Sequence, residues 1–480
     1  MKLSHEIAEL SAVVGEVYAR LIAKRYHEVI FGELAYRGLG NDFVAVCPFH
    51  EHSSVPTLHI HGNSATWRCF AGCGSGTWIR YLQRRSGLTF WDALNRLSLA
   101  AQIDLQHYPH YERWKRETAQ AEICEKVLGF AQDQLRSPAG TEVLKYLKSR
   151  KLSDQDISAM ELGALPDAKA LMSFLEQSNF DKELLFGSPR DGRPGAFSEA
   201  PLLGTNRVVI PFRDEIGRIF TLFSRITPAT QPVTIEKYRP VSALTDERDI
   251  LFNLWSTPAT EELILVEGSF DASRAGLANI LNVVAINGVD LRPAHFDTLR
   301  RREIKKVFLV PDTDKVAQEK APATVDALVS AGFDVMLVTL PGEFKDVDSL
   351  LGDLGEVGAE LFRSAIRSAM PGMRWRAQQL AKTHAQDKSA LLRAGLEYAA
   401  KIPKTIFAVE FLTELLSLGA AEVRDVQHSL DALRAEKLPE LLKAQYLTSA
   451  QQAGTAIREG RHADFEAFFE QCKDLQKKLS

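Results

Sequence analysis

The 480-residue sequence predicts a multidomain α/β protein, and three observations carry that prediction. Cys47, His50, Cys69 and Cys73 fall as two closely spaced pairs, the arrangement a small zinc ribbon needs. Over 262–351, apolar runs alternate with amphipathic stretches, which is the pattern of βαβ units and a mostly parallel sheet. Beyond Pro371 the pattern is helical throughout, giving an all-helical C-terminal region.

At about 150 residues per domain the chain has room for roughly three domains. Its net charge of −4 makes any nucleic-acid surface a local basic patch balanced by acid elsewhere. No run of about 18 apolar residues is present, and Glu6, Glu9 and Glu16 interrupt the N-terminus where a signal peptide needs an apolar core. A cytoplasmic protein with no membrane partner is expected. Five cysteines are too few for a disulfide framework in a chain of this length. Cys124 reads as a helical core residue and Cys472 as an incidental thiol. There is no internal repeat or low-complexity tract.

In order along the chain, 1–35 carries apolar positions at helical spacing and forms an N-terminal helical segment. A turn signal at 36–41 then leads into an alternating stretch, opening the zinc module of 36–105. The segment 106–255 starts with helices, one capped at Ser153, and continues through a Gly- and Pro-rich loop at 187–204. It ends in two strands, 207–212 and 218–224, which Gly217 makes a hairpin. The βαβ region occupies 256–352, and the helical C-terminal region 353–480.

Acidic residues mark the βαβ region. Glu267 follows the apolar run 263–266, Asp312 and Asp314 follow 307–310, and Asp346 and Asp348 follow 335–340. Carboxylates at the C-terminal ends of parallel strands converge on one sheet edge, where they can hold a divalent ion and neutralise phosphate charge. One solvated acid at a strand end is common; five after three strands point to phosphoryl-transfer chemistry on nucleic acid.

The cysteine motif is Cys47-Pro48-Phe49-His50, 18 intervening residues, then Cys69-Phe70-Ala71-Gly72-Cys73. Two pairs on separate turns, joined by a hairpin, close a tetrahedral Cys₃His site around Zn²⁺ that leaves no position for water and is therefore structural. His52, His59 and His61 compete with His50, and the short spacing from Cys47 favours His50. Trp67, Trp78 and Arg80 are candidates for stacking and phosphate contacts, against the plainer alternative of a small aromatic core.

With these motifs in this order the sequence resembles the bacterial DnaG-type DNA primases, which join a CHC2-type zinc module to a polymerase core containing a TOPRIM subdomain. The resemblance covers about 40–400. It rests on the cysteine motif, Phe90-Trp91-Asp92-Ala93, Leu162-Gly163-Ala164-Leu165-Pro166-Asp167, and Asn206-Arg207-Val208-Val209-Ile210-Pro211-Phe212-Arg213-Asp214. It continues with Ser224-Arg225, Lys237-Tyr238, Val266-Glu267-Gly268-Ser269-Phe270-Asp271, Pro311-Asp312-Thr313-Asp314 and Lys345-Asp346-Val347-Asp348.

The resemblance implies synthesis of short RNA primers on a single-stranded DNA template from NTPs. Structural Zn²⁺ would sit on Cys47, His50, Cys69 and Cys73, and catalytic Mg²⁺ or Mn²⁺ on Asp312, Asp314 and Asp346, with Asp348 completing the face. Glu267 is a further ligand or a proton shuttle. Arg207, Arg225, Lys237 and Tyr238 are the implied template and nucleotide contacts. Asp271 matches the family motif but fits a helix N-terminal charge equally well. Two departures stand out: Pro240 where the family commonly has asparagine, and 315–320, which lacks the usual small pair and predicts a helix that starts later or packs differently. Arg300, Arg301 and Arg302 with Lys305 and Lys306 read as a solvated helix face. No phosphate-loop motif is present, so duplex opening is expected from a helicase partner docked on the C-terminal helices. The competing classes are a TOPRIM nuclease or topoisomerase-like strand-cutting enzyme and an inactive DNA-binding replication factor.

Overall fold

The computed structural model describes residues 2–23, 30–31, 36–39, 42–50, 55–188, 193–197, 203–231, 237–242, 250–288, 290–342 and 344–418. They fall into two compact units, one of 1–321 with 338–368 and one built on 322–337 with the chain from 369 onward. No helix among these residues is long and apolar enough to cross a membrane.

The first unit begins with the helix Lys2–Ala23. Leu10, Val14, Val17 and Leu21 recur at helical spacing on one face and are buried. They share a core with an antiparallel five-strand meander, β1 (Tyr36–Leu39), β2 (Asp42–Ala45), β3 (Leu58–His61), β4 (Thr66–Cys69) and β5 (Gly74–Thr77). Two helices close the module. Trp78–Ser86 is capped by Thr77, whose hydroxyl accepts from the Arg80 N–H, and Phe90–Ala100 is capped by Thr89. The side chains proposed for stacking lie in this core instead. Trp67 and Trp78 are each 1% exposed, Trp78 edge-on to Tyr18 and Phe31. Burying an indole's apolar surface stabilises the fold by a few kcal/mol, roughly 25 cal/mol per Å², so neither ring is free for a base.

The middle of the unit is an antiparallel sheet ordered β11-β10-β9-β6, with β6 (Gly163–Asp167), β9 (Thr205–Arg213), β10 (Ile219–Arg225) and β11 (Tyr238–Pro240). The helix Tyr111–Arg136 packs on this sheet, and a Cβ at Gly163 would lie 2.6 Å from that of Ala131. Cys124 is buried in this helix. Ser153 caps the helix Asp154–Ala159 in a reciprocal box with Asp156, as expected from sequence. Within 187–204, the short β7 (Gly187–Ser188) and β8 (Arg193–Pro194) pair antiparallel. The β9–β10 hairpin turns at Gly217, at φ +89°. Asp214 fixes the turn, its carboxylate accepting the N–H groups of Ile216 and Arg218 at 3.2 and 3.0 Å and the Arg218 Nε at 2.8 Å. Gly217→Ala is expected to destabilise the protein by about 1 kcal/mol, because a Cβ is penalised at that φ; urea unfolding measures it.

The third part of the unit holds β12 (Glu262–Val266) between β13 (Val283–Ala285) and β14 (Lys306–Leu309), all parallel, as the βαβ pattern predicts. The helix after Asp314 corrects the expectation of a delayed start, for it begins at once, as Lys315–Ser330. Asp314 itself supplies the cap, accepting the Ala317 N–H at 3.0 Å, so the small pair is not required. The basic run 300–306 is tied down by partners: Arg301 pairs with Glu215, Lys305 with Glu261 and Lys306 with Glu262, while Arg302 donates to Thr257.

In the second unit, β15 (Asp334–Leu337) pairs antiparallel with β16 (Met370–Pro371). The helices Gly372–Thr383, Lys388–Ala399 and Thr405–Ser417 follow. Asp326 accepts from Arg376 Nε at 2.8 Å and from the Tyr398 hydroxyl at 2.5 Å. The apolar cluster read from sequence divides: Phe411, Leu412 and Leu415 are buried, whereas Ile406 is 68% exposed. Residues 419–480, where the rest of the helical region was expected, lie outside those described.

Candidate active site and zinc centre

Strands β2 and β4 end at the metal motif. Cys47, His50, Cys69 and Cys73 place one ligand atom each within 4.8 Å of all the others. His50 Nδ1 is 2.9 Å from Cys73 Sγ and 3.8 Å from Cys69 Sγ. This is the donor set and spacing of a closed tetrahedral zinc site. Burial pushes the Cys47 thiol up and, together with Cys69, pushes Cys73 to about 12. Cys69 is buried too, yet the N–H groups of Cys73 and Ala71 hold it down. Crowded sulfurs that cannot all ionise alone are what a cation relieves. The competing histidines are used elsewhere: His61 Nδ1 lies 3.3 Å from Asp42, and His59 packs edge-on to Phe70. His52 lies outside the described residues.

The carboxylates gather at the ends of β12 and β14 and at the start of the helix Val347–Leu354. Glu267 Oε1 accepts the Asp312 N–H at 3.2 Å. Thr313 is held against the segment before Asp346, its N–H donating to the Lys345 carbonyl at 2.8 Å. Asp346 caps the helix by accepting the Ser349 N–H at 2.8 Å. Burial, then Glu267 and Asp346, push Asp312 up to about 7; burial also raises Glu267. Asp314 is exposed to solvent and held low by the Ala317 N–H, with Lys345 Nζ at 3.5 Å.

Two acids stand differently from the sequence reading. Asp348 does not offer an open carboxylate: Arg274 Nε takes Oδ1 at 3.0 Å and Arg150 takes Oδ2 at 2.5 Å. Asp271 is more than a helix-end charge. It is 6% exposed, accepts the Asp348 N–H at 2.8 Å, and is pushed up to about 8 by burial and then by Asp346. The motifs read from sequence included neither Arg150 nor Arg274. Arg150 lies far from the acids along the chain, and Arg274, one turn past Asp271 on the same helix, falls just beyond the quoted motif.

The basic candidates also divide. Arg225 donates to the Tyr238 hydroxyl at 2.8 Å, and its guanidinium sits 4.8 Å from the Phe270 ring. Lys237 is exposed along its side chain, and its ammonium is lowered by partial desolvation and then by Arg225, with Lys345, Arg150 and Asp312 also in range. Lys237 is therefore within electrostatic range of Asp312, and Arg225 and Tyr238 are grouped with it beside Phe270. Arg207 is not among them: it is fully buried, its Nε donating to Ser224 Oγ at 2.8 Å, so it braces β9 on β10.

The zinc module and the middle sheet share an ionic cluster. Arg80, a candidate for phosphate contact, pairs instead with Glu125 at 3.2 Å and with Glu161. Arg213 pairs with the same two glutamates at 2.5 and 2.9 Å. Beside it, Ile216 at the hairpin tip is buried in the module's core.

Three family models match in series: CHC2 zinc finger over 17–113, DNA primase catalytic core N-terminal domain over 130–255, and Toprim-like over 264–351. The DNA primase of Deinococcus radiodurans is 26% identical over 356 residues, covering 71% of this chain and 58% of that protein. That of Synechococcus elongatus is 24% identical over 477 residues, covering 94% and 67%. Among solved structures, the zinc-binding and RNA polymerase domains of Aquifex aeolicus primase match with a TM-score of 0.55 and 23% identity, covering 82% of this chain and 94% of that one. Fold and site thus define a zinc-ribbon protein built on a Toprim-containing core. Matched in this order, the three models are those of the bacterial DnaG-type primases, which the chain resembles from 17 to 351. It spans about three fifths of the length of the first of these relatives.

Proposed function

We propose that the chain is a DNA primase, synthesising short RNA primers from NTPs on single-stranded DNA. The observation that supports this reading is Lys237, grouped with Arg225 and Tyr238, in electrostatic range of the Asp312 carboxylate that Glu267 and Asp346 surround, in the same compact unit as a Cys₃His cluster. A nuclease needs the acids but gains nothing from the primase-type core.

In this reading Zn²⁺ on Cys47, His50, Cys69 and Cys73 is structural. Asp312, Asp314 and Asp346, with Glu267 beside them, hold Mg²⁺ or Mn²⁺. Such an ion lowers the pKa of the attacking 3′-hydroxyl and neutralises charge on the triphosphate. The burial and then the repulsion from Glu267 and Asp346 that raise Asp312 favour a cation there. Arg225 and Lys237 bind phosphate, Arg225 with a planar fork, and Tyr238 stacks on a base or sugar. Arg207 serves by holding β9 and β10 in register beneath them. A helicase contact through the C-terminal helices follows from the resemblance.

The test is labelled NTP incorporation on single-stranded DNA with Mg²⁺ or Mn²⁺, beside Asp312→Ala. Short RNA is expected only with template, falling at least about 10³-fold in the variant. Template degradation with no RNA would favour the strand-cutting reading.

A further inference from the structure

Arg274 lies on the helix Ser269–Leu277, one turn past Asp271, and is 7% exposed. Besides gripping Asp348, it donates to the Lys151 carbonyl at 3.2 Å and to the Arg150 carbonyl at 2.6 Å. Arg150 holds the other Asp348 oxygen. One guanidinium thus fastens the 150–151 turn, the helix that follows Glu267, and the helix start that carries Asp346 and Asp348.

The space it fills is left by a glycine. A Cβ at Gly352 would stand 3.2 Å from an Arg274 terminal nitrogen and 3.4 Å from its Cζ. The held Asp348 in turn donates its N–H to Asp271, while Asp346 caps the same helix. A carboxylate with both oxygens on arginines is a poor ligand for a hard cation, which needs free oxygen lone pairs.

We infer that Arg274 is a positioning residue: it holds Asp348 as an internal counter-ion, so that Asp348 orders Asp271 and Asp346 and does not itself bind the divalent ion. The inference rests on the divalent-ion site proposed above. It opposes a simpler possibility, that Arg274 is a nearby cation competing with the ion, and the two differ in sign. Losing a clasp weakens metal binding; losing a competing cation tightens it.

The experiment is Mn²⁺ titration of the zinc-loaded full chain, reading free Mn²⁺ by electron paramagnetic resonance. Arg274→Ala is expected to weaken Mn²⁺ about 10- to 100-fold, the range for residues that orient metal ligands. Asp348→Asn should weaken it to a similar extent, and the double variant no further. Arg274→Lys should recover part of the loss, and Gly352→Ala, which displaces the guanidinium, should reproduce it in part. These last two carry the test if Arg274→Ala does not fold. Unchanged or tighter Mn²⁺ in the arginine variants overturns the inference, as does loss of binding in Asp348→Asn alone. Asp312→Asn separates the two readings: wild-type affinity there overturns the ion site itself and the inference with it.

Discussion

Cys69→Ser is expected to lose the zinc ion and to unfold the N-terminal module. A serine hydroxyl is a poor substitute for thiolate, and structural zinc contributes about 10–16 kcal/mol of apparent binding energy in small zinc modules, comparable with the whole stability of a domain. Cys47 and Cys69 are buried with Leu58, Ile60 and Trp67 in the core that also takes Leu10, Val14 and Val17. Losing the ion therefore opens that core as well as the metal loops. Because Ile216 and Arg213 link the module to the middle sheet, the loss is expected to spread into the catalytic core and lower its melting temperature. Metal analysis combined with tryptophan fluorescence during heating tests this. Stoichiometric zinc and a wild-type melting profile in the variant would refute it.

Arg213→Ala is expected to cost about 3 kcal/mol at neutral pH. Breaking a buried ion pair from one side costs about 3–5 kcal/mol because the partner is left uncompensated. Arg213 is 2% exposed and compensates two carboxylates. Glu125 and Glu161 keep 22% and 25% of their side-chain surface open, which puts the cost at the low end of the range. The penalty should also depend on pH. Burial alone would raise Glu161, but Arg213 and Arg80 outweigh it and hold its carboxyl at about 2. A depressed carboxyl stabilises the fold fully above its unfolded pKa of about 4.3, and that stability drains away as pH falls toward 2. Without Arg213 only Arg80 is left to oppose burial, so the depression shrinks and the variant has less to lose. The gap between wild type and variant should shrink from pH 7 to pH 3 in urea unfolding. A gap that stays constant would assign the cost to the cavity and not to charge.

The sequence by itself determined what local pattern can express. The two closely spaced pairs of Cys and His that come together as a candidate metal site, a glycine at a hairpin turn, the Ser153 cap and acids placed after apolar strands are each encoded within a few residues, where spacing fixes geometry. Tertiary structure decided which polar groups remain available. Asp348 and Arg207 look like ligand contacts in sequence, but each is consumed by partners, Asp348 by Arg150 nearly 200 positions away. Trp78 is a stacking candidate until the N-terminal helix and Phe31 cover it. Asp271 gains its place at the site only when the helix start at 346–349 is brought against it. The physical reason is common to all four. A side chain's chemistry is set by how its charge or ring is desolvated and paired, and those partners come from segments that only the folded chain brings together.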